Sequence, residues 1–183
     1  SDPTSDSSTV DAIEQHVWLC HQMDKPELVA RVLQAEGRGL TMIFCRTKRV
    51  AGNLAEDLAN RGFASAAVHG DLGQGAREQA LRAFRSGKVD VLVATDVAAR
   101  GIHVDGISLV VHVDAPTDHK DYLHRAGRTA RAGEAGTVVT LATTRQQKSI
   151  GGLTQRAGVT PKFVGVTPLS TELMKITGAQ EPT

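Results

Sequence analysis

The sequence predicts an α/β protein whose core is an open, mostly parallel β-sheet with helices on both faces. Short, mainly apolar segments rich in β-branched residues recur along the chain, for example residues 40 to 45 and 107 to 113. Such segments are typical of strands buried on both faces of a parallel sheet. Segments with helical periodicity lie between most of them, and this alternation indicates right-handed βαβ units. A length of 183 residues suits a single domain with a sizeable core.

The predicted elements follow one another in a regular order. The first strand covers residues 12 to 21, and the helix after it begins with a capping box formed by Asp24 and Glu27 and ends at Gly37. Gly62 and Gly87 are predicted to end two later helices. The elements after the first helix are strand 40 to 45, helix 48 to 61, strand 64 to 69, helix 74 to 85, strand 90 to 95, strand 107 to 113, helix 118 to 126, strand 136 to 142 and helix 146 to 156.

The two ends of the chain differ in composition from its middle. Residues 1 to 9 form a polar tail that we predict to be disordered, and residues 10 to 158 form the predicted domain. Residues 159 to 183 are interrupted by prolines. We predict that this last segment is a C-terminal extension with one short helix at residues 171 to 176.

Charge and aromatic content narrow the classes of partner. The formal net charge is only +1, so a nucleic acid would have to be held by a local basic patch rather than by overall charge. Aromatic residues make up 3% of the chain. This argues against recognition of bases by stacking and favours contacts to a nucleic-acid backbone.

The cysteines, the histidines and the hydropathy argue against a disulfide-stabilised, a metal-binding or a membrane-spanning protein. Cys20 and Cys45 are too few and too isolated for a disulfide framework or a zinc site, and Cys45 lies in an apolar segment where a buried free thiol is expected. The histidines show no metal-ligand spacing, so we predict no metal site. No apolar segment approaches the roughly 18 residues of a membrane helix, and no signal peptide is recognisable. We therefore expect a cytoplasmic protein without a membrane partner.

Polar residues stand directly after several predicted strands. Ligands of parallel sheets bind beyond the carboxyl ends of the strands, so these residues are the candidates for a site. They are Arg46 and Thr47, Gly70 and Asp71, residues 95 to 101, and Asp114.

A dense cluster of basic residues occupies residues 118 to 133. It contains His124, Arg125, Arg128 and Arg131. If this segment begins as a helix, Arg125 and Arg128 share a face, and converging guanidinium groups match the oxygens of a polyphosphate bidentately. The alternative is a solvated basic helix end that the helix macrodipole stabilises.

Four segments of the chain stand out as motifs. They are MIFCRT at 42 to 47, GQGARE at 73 to 78, ATDVAARGI at 94 to 102 and HRAGRTAR at 124 to 131. In this order they resemble motif IV, the Q-x-x-R motif, motif V and motif VI of the C-terminal RecA-like domain of DEAD-box ATP-dependent RNA helicases, in helicase superfamily two. The resemblance covers roughly residues 13 to 157, and it implies a RecA-like, P-loop NTPase-like fold for the predicted sheet.

The resemblance implies a role in ATP hydrolysis for the basic cluster. Arg128 and Arg131 would be arginine fingers that reach the γ-phosphate of ATP, where neutralising the charge on the phosphoryl oxygens accelerates transfer. His124 would connect to the opposite domain, and Arg125 would serve mainly internal structure. A surface histidine without such a contact is the alternative for His124.

The same resemblance implies contacts to the backbone of RNA. Asp96 would order the motif V loop, and Gln74 would have a structural role beside the RNA. Helix capping is the alternative for Thr47 and Thr95, and a capping box with Asp71 is the alternative for Gln74. The RNA-binding residues that the resemblance indicates are Thr47, Gly70, Arg77, Thr95 and Arg100.

Two positions depart from the family pattern. Gly101 and His103 would face ATP, but the family usually has aspartate at position 103, where the carboxylate accepts from the ribose hydroxyls. A neutral imidazole accepts one hydrogen bond, so we expect weaker binding. Ala130 stands where the family has glycine. If this position needs a positive φ, alanine costs about 1 kcal/mol, and the strain is expected to shift Arg131.

The sequence lacks the parts that bind most of the nucleotide. It has no G-x-x-x-x-G-K-[ST] loop and no Asp-Glu-Ala-Asp box, so ATP and Mg²⁺ are expected to be held mainly by an N-terminal RecA-like domain of the same protein. We predict that the chain is the C-terminal half of an ATP-dependent RNA helicase and does not hydrolyse ATP alone. The alternatives are a stand-alone RNA-binding or regulatory module and a superfamily-two DNA helicase domain.

Overall fold

A seven-stranded sheet forms the centre of the molecule, and its neighbouring strands pair in parallel. The computed structural model describes residues 13–130, 135–171 and 173. Within this part of the chain the strands are β1 (Ile13–Leu19), β2 (Leu40–Phe44), β3 (Ser65–Val68), β4 (Val91–Ala94), β5 (Ile107–His112), β6 (Gly136–Ala142) and β7 (Lys162–Gly165). Their order in the sheet is β3-β4-β2-β5-β6-β1-β7. The predicted parallel α/β architecture is confirmed.

Helices connect most of the strands. Gly87 ends one of them in the left-handed conformation with a φ of 82°, and Gly62 has a φ of 102° just after another. Both predicted helix ends are confirmed, and the positive φ explains why glycine stands there. No helix in the described ranges is long and apolar enough to cross a membrane. The helices are α1 (Lys25–Leu33), α2 (Lys48–Asn60), α3 (Gln74–Ser86), α4 (Asp96–Ala99), α5 (His119–Ala126) and α6 (Gln147–Arg156), with single 3-10 turns at Gln22–Asp24 and Thr144–Gln146.

The helices cover both faces of the sheet. Successive residues of β2 point to opposite sides. Ile43 packs into a core with Leu28 of α1 and Leu54 of α2. Met42 packs into a second core with Phe84 of α3. The central strands β2, β4 and β5 are mainly apolar because both of their faces are buried, as the sequence predicts.

The sheet extends past the predicted end of the domain at residue 158. β7 pairs in parallel with β1, so part of the predicted extension belongs to the sheet. The sequence pattern did not reveal β7, because it is a four-residue edge strand with exposed ends and follows Pro161 directly. The predicted tail at residues 1 to 9 lies outside the described residues, and so does most of the predicted helix at 171 to 176.

The start of α1 differs from the prediction. Asp24 makes no side-chain hydrogen bond to the helix. Glu27 pairs with Arg61, with 2.7 Å between Glu27 Oε1 and Arg61 Nη2. The predicted capping box is therefore wrong, because tertiary pairing takes up the carboxylate that the pattern assigned to the backbone. α1 also ends at Leu33, before Gly37.

Both cysteines are buried free thiols, as predicted for Cys45. Burial raises the pKa of the Cys45 thiol to about 12, and burial also raises the pKa of Cys20. Both side chains are therefore protonated at neutral pH and behave as small apolar residues of the core.

Candidate functional site

Three candidate residues lie along one edge of the sheet. β3, β4 and β2 are neighbours, and their carboxyl ends lead into Gly70, Thr95 and Thr47 respectively. Gly70 and Thr47 are exposed, and Thr95 is half-buried. Because parallel strands end at the same edge, the fold brings these residues to the place where ligands of such sheets bind.

Thr47 has a capping role at this edge. Its Oγ1 accepts a hydrogen bond from the Val50 N–H at 3.2 Å and so caps α2. Thr95 occupies the cap position of α4 without a side-chain hydrogen bond to that helix. The capping alternative is therefore correct for Thr47 and wrong for Thr95. The cap uses Thr47 Oγ1 only as an acceptor, so the hydroxyl proton of Thr47 is not needed for it.

Arg77 and Arg100 flank the segment that contains α4. Arg77 is half-buried, and its Nη1 donates to the Ala98 carbonyl at 2.6 Å. This bond ties α3 to the segment after β4. Arg100 follows α4 directly and is exposed, so its charge faces solvent at the carboxyl edge.

The start of α3 does not carry the capping box considered for Gln74. Gly73 occupies the cap position. The Gln74 side-chain amide donates to Glu78 Oε1 at 3.2 Å. The Asp71 carboxylate pairs with Lys48, with 2.9 Å between Oδ1 and Nζ. The capping-box alternative is wrong, because Asp71 is turned toward the start of α2.

The Arg125 guanidinium points into the protein. The side chain is 3% exposed, and its Nε and Nη2 donate to the two carboxylate oxygens of Asp96, each at 2.7 Å. Its Nη1 donates to the Asp114 carbonyl at 2.7 Å, and its guanidinium carbon lies 5.1 Å from the centre of the Phe44 ring. Arg125 thus joins the ends of β2, β4 and β5, and the bidentate pair fixes its orientation.

Arg128 follows α5 and contacts the segment after α4. Its Nη1 donates to the Ile102 carbonyl. Ile102 lies between Gly101, which has a φ of 78°, and His103, which is exposed. The structure therefore brings together Gly101, His103 and Arg128, the three described residues predicted to face ATP.

The other members of the basic cluster are placed differently. His124 is exposed in the last turn of α5, where the structure leaves both interpretations of it open. Arg131 lies outside the described residues. Arg125 and Arg128 do not converge on one point within the domain, because the first turns to Asp96 and the second to Ile102.

The turn after α5 is closely packed against the start of β6. Ala130 has a φ of 56° and is buried, so the conditional prediction of a positive φ at this position is confirmed. Thr129 Oγ1 donates to the Ile107 carbonyl. A Cβ on Gly136 would lie 2.3 Å from Thr129 Oγ1 and 2.9 Å from the Ala130 nitrogen. The strain of about 1 kcal/mol at Ala130 is offset in part by burial of its methyl group.

A buried histidine lies beneath the Arg125 contacts. The His112 ring meets the Phe44 ring edge-on, with 6.2 Å between centroids, and meets the Tyr122 ring edge-on at 5.4 Å. Its Nδ1 lies 3.0 Å from Thr140 Oγ1. Burial and, to a lesser extent, the charge of Arg125 hold the pKa of His112 well below its ordinary value of 6.5. His112 is therefore neutral in the folded protein.

The free energy of unfolding should decrease as the pH falls below 6.5. Folded His112 stays neutral, whereas in the unfolded chain it takes up a proton below its ordinary pKa of 6.5, so acid favours the unfolded chain. Above that pH its contribution is fully retained. Urea denaturation over a pH series would measure the change.

The matched variant is His112→Asn, which keeps a polar group near Thr140 and cannot take up a proton in this range. Its loss of stability in acid should be shallower than that of the parent. Burial also lowers the pKa of His16, so the variant should retain part of the loss. Equal acid sensitivity in both proteins would contradict the assignment to His112.

Lys25 lies at this edge beside Asp114, although the sequence analysis singled out only Asp114 as a candidate. Lys25 is buried, its Nζ donates to the Val113 carbonyl at 2.6 Å, and burial lowers the pKa of its ammonium group. Asp114 Oδ2 accepts from the Arg46 N–H at 2.8 Å. Asp114 had a signal in the sequence, because it follows a strand closely. Lys25 had none, since a lysine at the start of a helix is ordinarily solvated.

The described residues contain no group of three histidine, cysteine, aspartate or glutamate side chains arranged to hold a metal ion. The carboxylates at the carboxyl edge are instead paired with cations or backbone groups. Asp96 accepts from Arg125, Asp71 from Lys48, and Asp114 from the backbone of Arg46.

Known proteins are similar to this chain over most of its length. Residues 24–133 match the family model described as "Helicase conserved C-terminal domain". The DEAD-box ATP-dependent RNA helicase CshA of Geobacillus kaustophilus is 43% identical over 138 residues, and CshA of Bacillus subtilis is 42% identical over 147 residues. These matches cover 75% and 80% of this chain but 30% of each relative. The chain thus spans less than a third of the length of these curated relatives.

Solved structures share the fold. The structure of the E. coli DEAD-box protein SrmB bound to regulator of ribonuclease activity A has a TM-score of 0.78 at 30% identity. The match covers 93% of this chain and 98% of the chain in that structure. The C-terminal domain of the DEAD-box protein Dbp5 has a TM-score of 0.81 at 30% identity, and the match covers 92% of this chain and 98% of that chain. S. cerevisiae Dbp5 bound to RNA and ADP BeF3 has a TM-score of 0.79 at 31% identity, covering 85% of this chain and 42% of that chain.

Proposed function

Since the chain belongs to the helicase conserved C-terminal domain family, as the C-terminal RecA-like domain of a DEAD-box RNA helicase, we propose that it supplies arginine fingers to ATP. The ATP would be bound mainly by an N-terminal RecA-like domain of the same protein. In the same proposal this chain binds one RNA strand through its sugar-phosphate backbone, without sequence preference. The complete protein would then be an ATP-dependent RNA helicase or remodelling enzyme, and this chain alone would not hydrolyse ATP.

One observation carries the proposal. The segment from Thr95 to His103 is held at both of its ends by the basic cluster, through the Asp96–Arg125 pair and the Arg128–Ile102 hydrogen bond. Residues proposed to meet RNA and residues proposed to meet ATP therefore lie on one short segment. A movement of RNA at Thr95 or Arg100 would be transmitted to Arg128 through this segment.

The residues at the proposed nucleotide side fit a phosphate better than a ribose. The Arg128 guanidinium is a permanent charge with forked donors that match phosphoryl oxygens. Arg131, by its place in the same motif, would act with it. His103 offers one acceptor nitrogen where a carboxylate would offer two oxygens, so we expect weak contacts to the ribose hydroxyls. Mg²⁺ would be held by the N-terminal domain, where it would neutralise charge on the β- and γ-phosphates.

The proposed RNA path follows the carboxyl edge of β3, β4 and β2. Thr47, Gly70 and Thr95 would contact the phosphates by hydrogen bonds, and Arg77 and Arg100 would add charge. Arg100 is exposed, whereas Arg77 already donates to the Ala98 carbonyl, so Arg100 should contribute more to the salt dependence. Contacts of this kind give affinity without sequence information.

ATP turnover by the full-length protein tests the proposal. We expect turnover to rise severalfold with a single-stranded RNA and to rise much less with a DNA strand of the same length and sequence, because the 2′-hydroxyl distinguishes them. The affinity for RNA should fall linearly with the logarithm of salt concentration, and Arg100→Ala should reduce that slope by about 1. The isolated chain is the control and should show no turnover.

The alternatives predict other results. Equal stimulation by DNA would favour a superfamily-two DNA helicase. RNA binding by a full-length protein that shows no ATP turnover at all would favour a stand-alone RNA-binding module. Turnover by the isolated chain would contradict the proposed division of the site between two domains.

A further inference from the structure

His69, which follows β3 directly, has one ring nitrogen whose role the fold determines. The backbone N–H of Asp71 donates to His69 Nδ1 at 3.2 Å. A backbone N–H can only donate, so Nδ1 must be the accepting nitrogen. In the neutral ring the proton is then on Nε2, which makes Nε2–H a donor of fixed direction.

This donor faces the first turns of α2. A Cβ added to Gly52 would lie 3.7 Å from His69 Nε2 and would meet nothing else within 4 Å. His69 and Gly52 are both half-buried. A gap that no other heavy atom fills therefore lies between this side of α2 and the His69 ring, and one methyl group on Gly52 would enter it.

Nothing in the backbone requires glycine at position 52. Gly52 lies inside α2 and has no positive φ, and glycine in a helix interior is less stable than alanine by roughly 0.5–1 kcal/mol. The tertiary contacts also leave room for a methyl group, since 3.7 Å is an ordinary van der Waals separation. The glycine costs stability without serving the fold, which suits a position that something else must approach closely.

The gap is bordered by groups that suit a phosphate. Lys48 lies one helical turn before Gly52 in α2, and its Nζ pairs with Oδ1 of Asp71, two residues after His69, at 2.9 Å. Thr47 and Gly70, on the two sides of it, are both exposed. An anion in the gap would thus meet one directed N–H donor, with the ammonium group of Lys48 and the Asp71 carboxylate that pairs with it nearby.

We propose that His69 Nε2–H donates a hydrogen bond to a phosphate oxygen of the bound RNA strand, and that glycine at position 52 keeps the gap open for this phosphate. This inference rests on the proposed function, because it places a further contact on the same RNA path. His69 is thus a binding residue that donates through Nε2, and Gly52 determines access to it.

Two variants of position 69 separate the donor from the loop contact. In His69→Asn the side-chain oxygen can still accept from the Asp71 N–H, but no group reaches the position of Nε2. In His69→Gln the longer amide can place a donor near that position. With full-length protein and a non-hydrolysable ATP analogue, we expect His69→Asn to weaken binding of a labelled single-stranded RNA about five- to tenfold. His69→Gln should bind within about twofold of the parent protein.

Position 52 gives an independent test, because stability and RNA affinity should change in opposite directions. Gly52→Ala should raise the unfolding midpoint, because alanine is the better helix former, and should weaken RNA binding about as much as His69→Asn. Gly151→Ala is the matched control, since Gly151 lies in α6 with nothing within 4 Å of an added Cβ. It should raise the unfolding midpoint and leave RNA binding unchanged.

Salt dependence distinguishes this contact from the arginine contacts. Since His69 Nδ1 accepts a backbone N–H, the ring is expected to contribute a single hydrogen bond from Nε2, and His69→Asn should lower the affinity at every salt concentration without changing the slope that Arg100→Ala reduces. If the parent protein binds RNA and both His69→Asn and Gly52→Ala bind it equally well, this inference is wrong while the proposed function stands. If only Gly52→Ala weakens binding, His69 is not the donor and the inference is wrong. If the parent protein binds no RNA, the proposed function fails and this inference fails with it.

Discussion

Replacing Arg128 with alanine in the full-length protein should lower RNA-stimulated ATP hydrolysis by about a thousandfold or more. Charge develops on the oxygens of the transferred phosphoryl group, and a guanidinium placed there in advance stabilises that charge without reorganisation. Arg128 is anchored by its bond to the Ile102 carbonyl, which holds the side chain at the proposed nucleotide side of the segment. Its removal should therefore reduce kcat far more than it weakens binding of ATP or RNA.

Steady-state turnover with saturating RNA measures this effect. Arg128→Lys should recover little activity, because an ammonium group is a point charge and cannot form the forked contact. Arg82→Ala is the control, since Arg82 is an exposed arginine of α3. It should behave like the parent protein. Near-normal turnover in both Arg128→Ala and Arg131→Ala would contradict the arginine-finger assignment.

Replacing Arg125 with methionine should destabilise the domain by about 3 kcal/mol. Arg125 is 3% exposed, and its three bonds of 2.7 Å satisfy both oxygens of Asp96 and the Asp114 carbonyl. The variant leaves the Asp96 carboxylate without its cation and leaves the carbonyl without its donor. The Asp96 side chain is 35% exposed, so water screens part of the loss and places the effect at the lower end of the range for buried pairs.

Chemical denaturation of the parent protein and the variant would measure this difference. Arg61→Ala is the matched control, because Arg61 also forms bonds of 2.7 and 3.0 Å to carboxylates, but at the surface. Arg61→Ala should lower the free energy of unfolding by about 1 kcal/mol or less. If Arg125→Met lowers the free energy of unfolding no more than Arg61→Ala does, the buried pair does not hold these strand ends together.

The sequence predicted the central sheet well, because parallel strands buried on both faces leave a pattern that few other structures produce. The apolar residues of β2 and β5 face two cores, and glycines with positive φ stand where α2 and α3 end. The same physics supported the interpretation of Ala130. A glycine in the family pattern suggests a positive φ, and the structure has a φ of 56° there.

The side-chain partners could not be predicted, because they depend on which segments the fold brings together. Spacing alone does not separate Arg125 from Arg128. The resemblance assigned Arg125 to internal structure, but it did not identify Asp96 as its partner or Ile102 as the contact of Arg128. The capping pattern at Glu27 was misleading for the same reason, since its partner is Arg61, at the end of another helix. β7 was missed because an edge strand buries too little to need an apolar sequence.

The place of β1 in the sheet has a consequence for the order in which the protein is made. β1 lies between β6 and β7, and Ile13 pairs with Gly136, so the first strand of this domain to leave the ribosome has no neighbour until almost the whole domain has been synthesised. At about 5–20 residues per second, the delay is on the order of ten seconds. During that time the apolar residues of β1, including Trp18, are without their core. We therefore expect nascent chains that stop before β6 to bind chaperones through β1, and the domain to close from its middle outward, with its first strand among the last to dock.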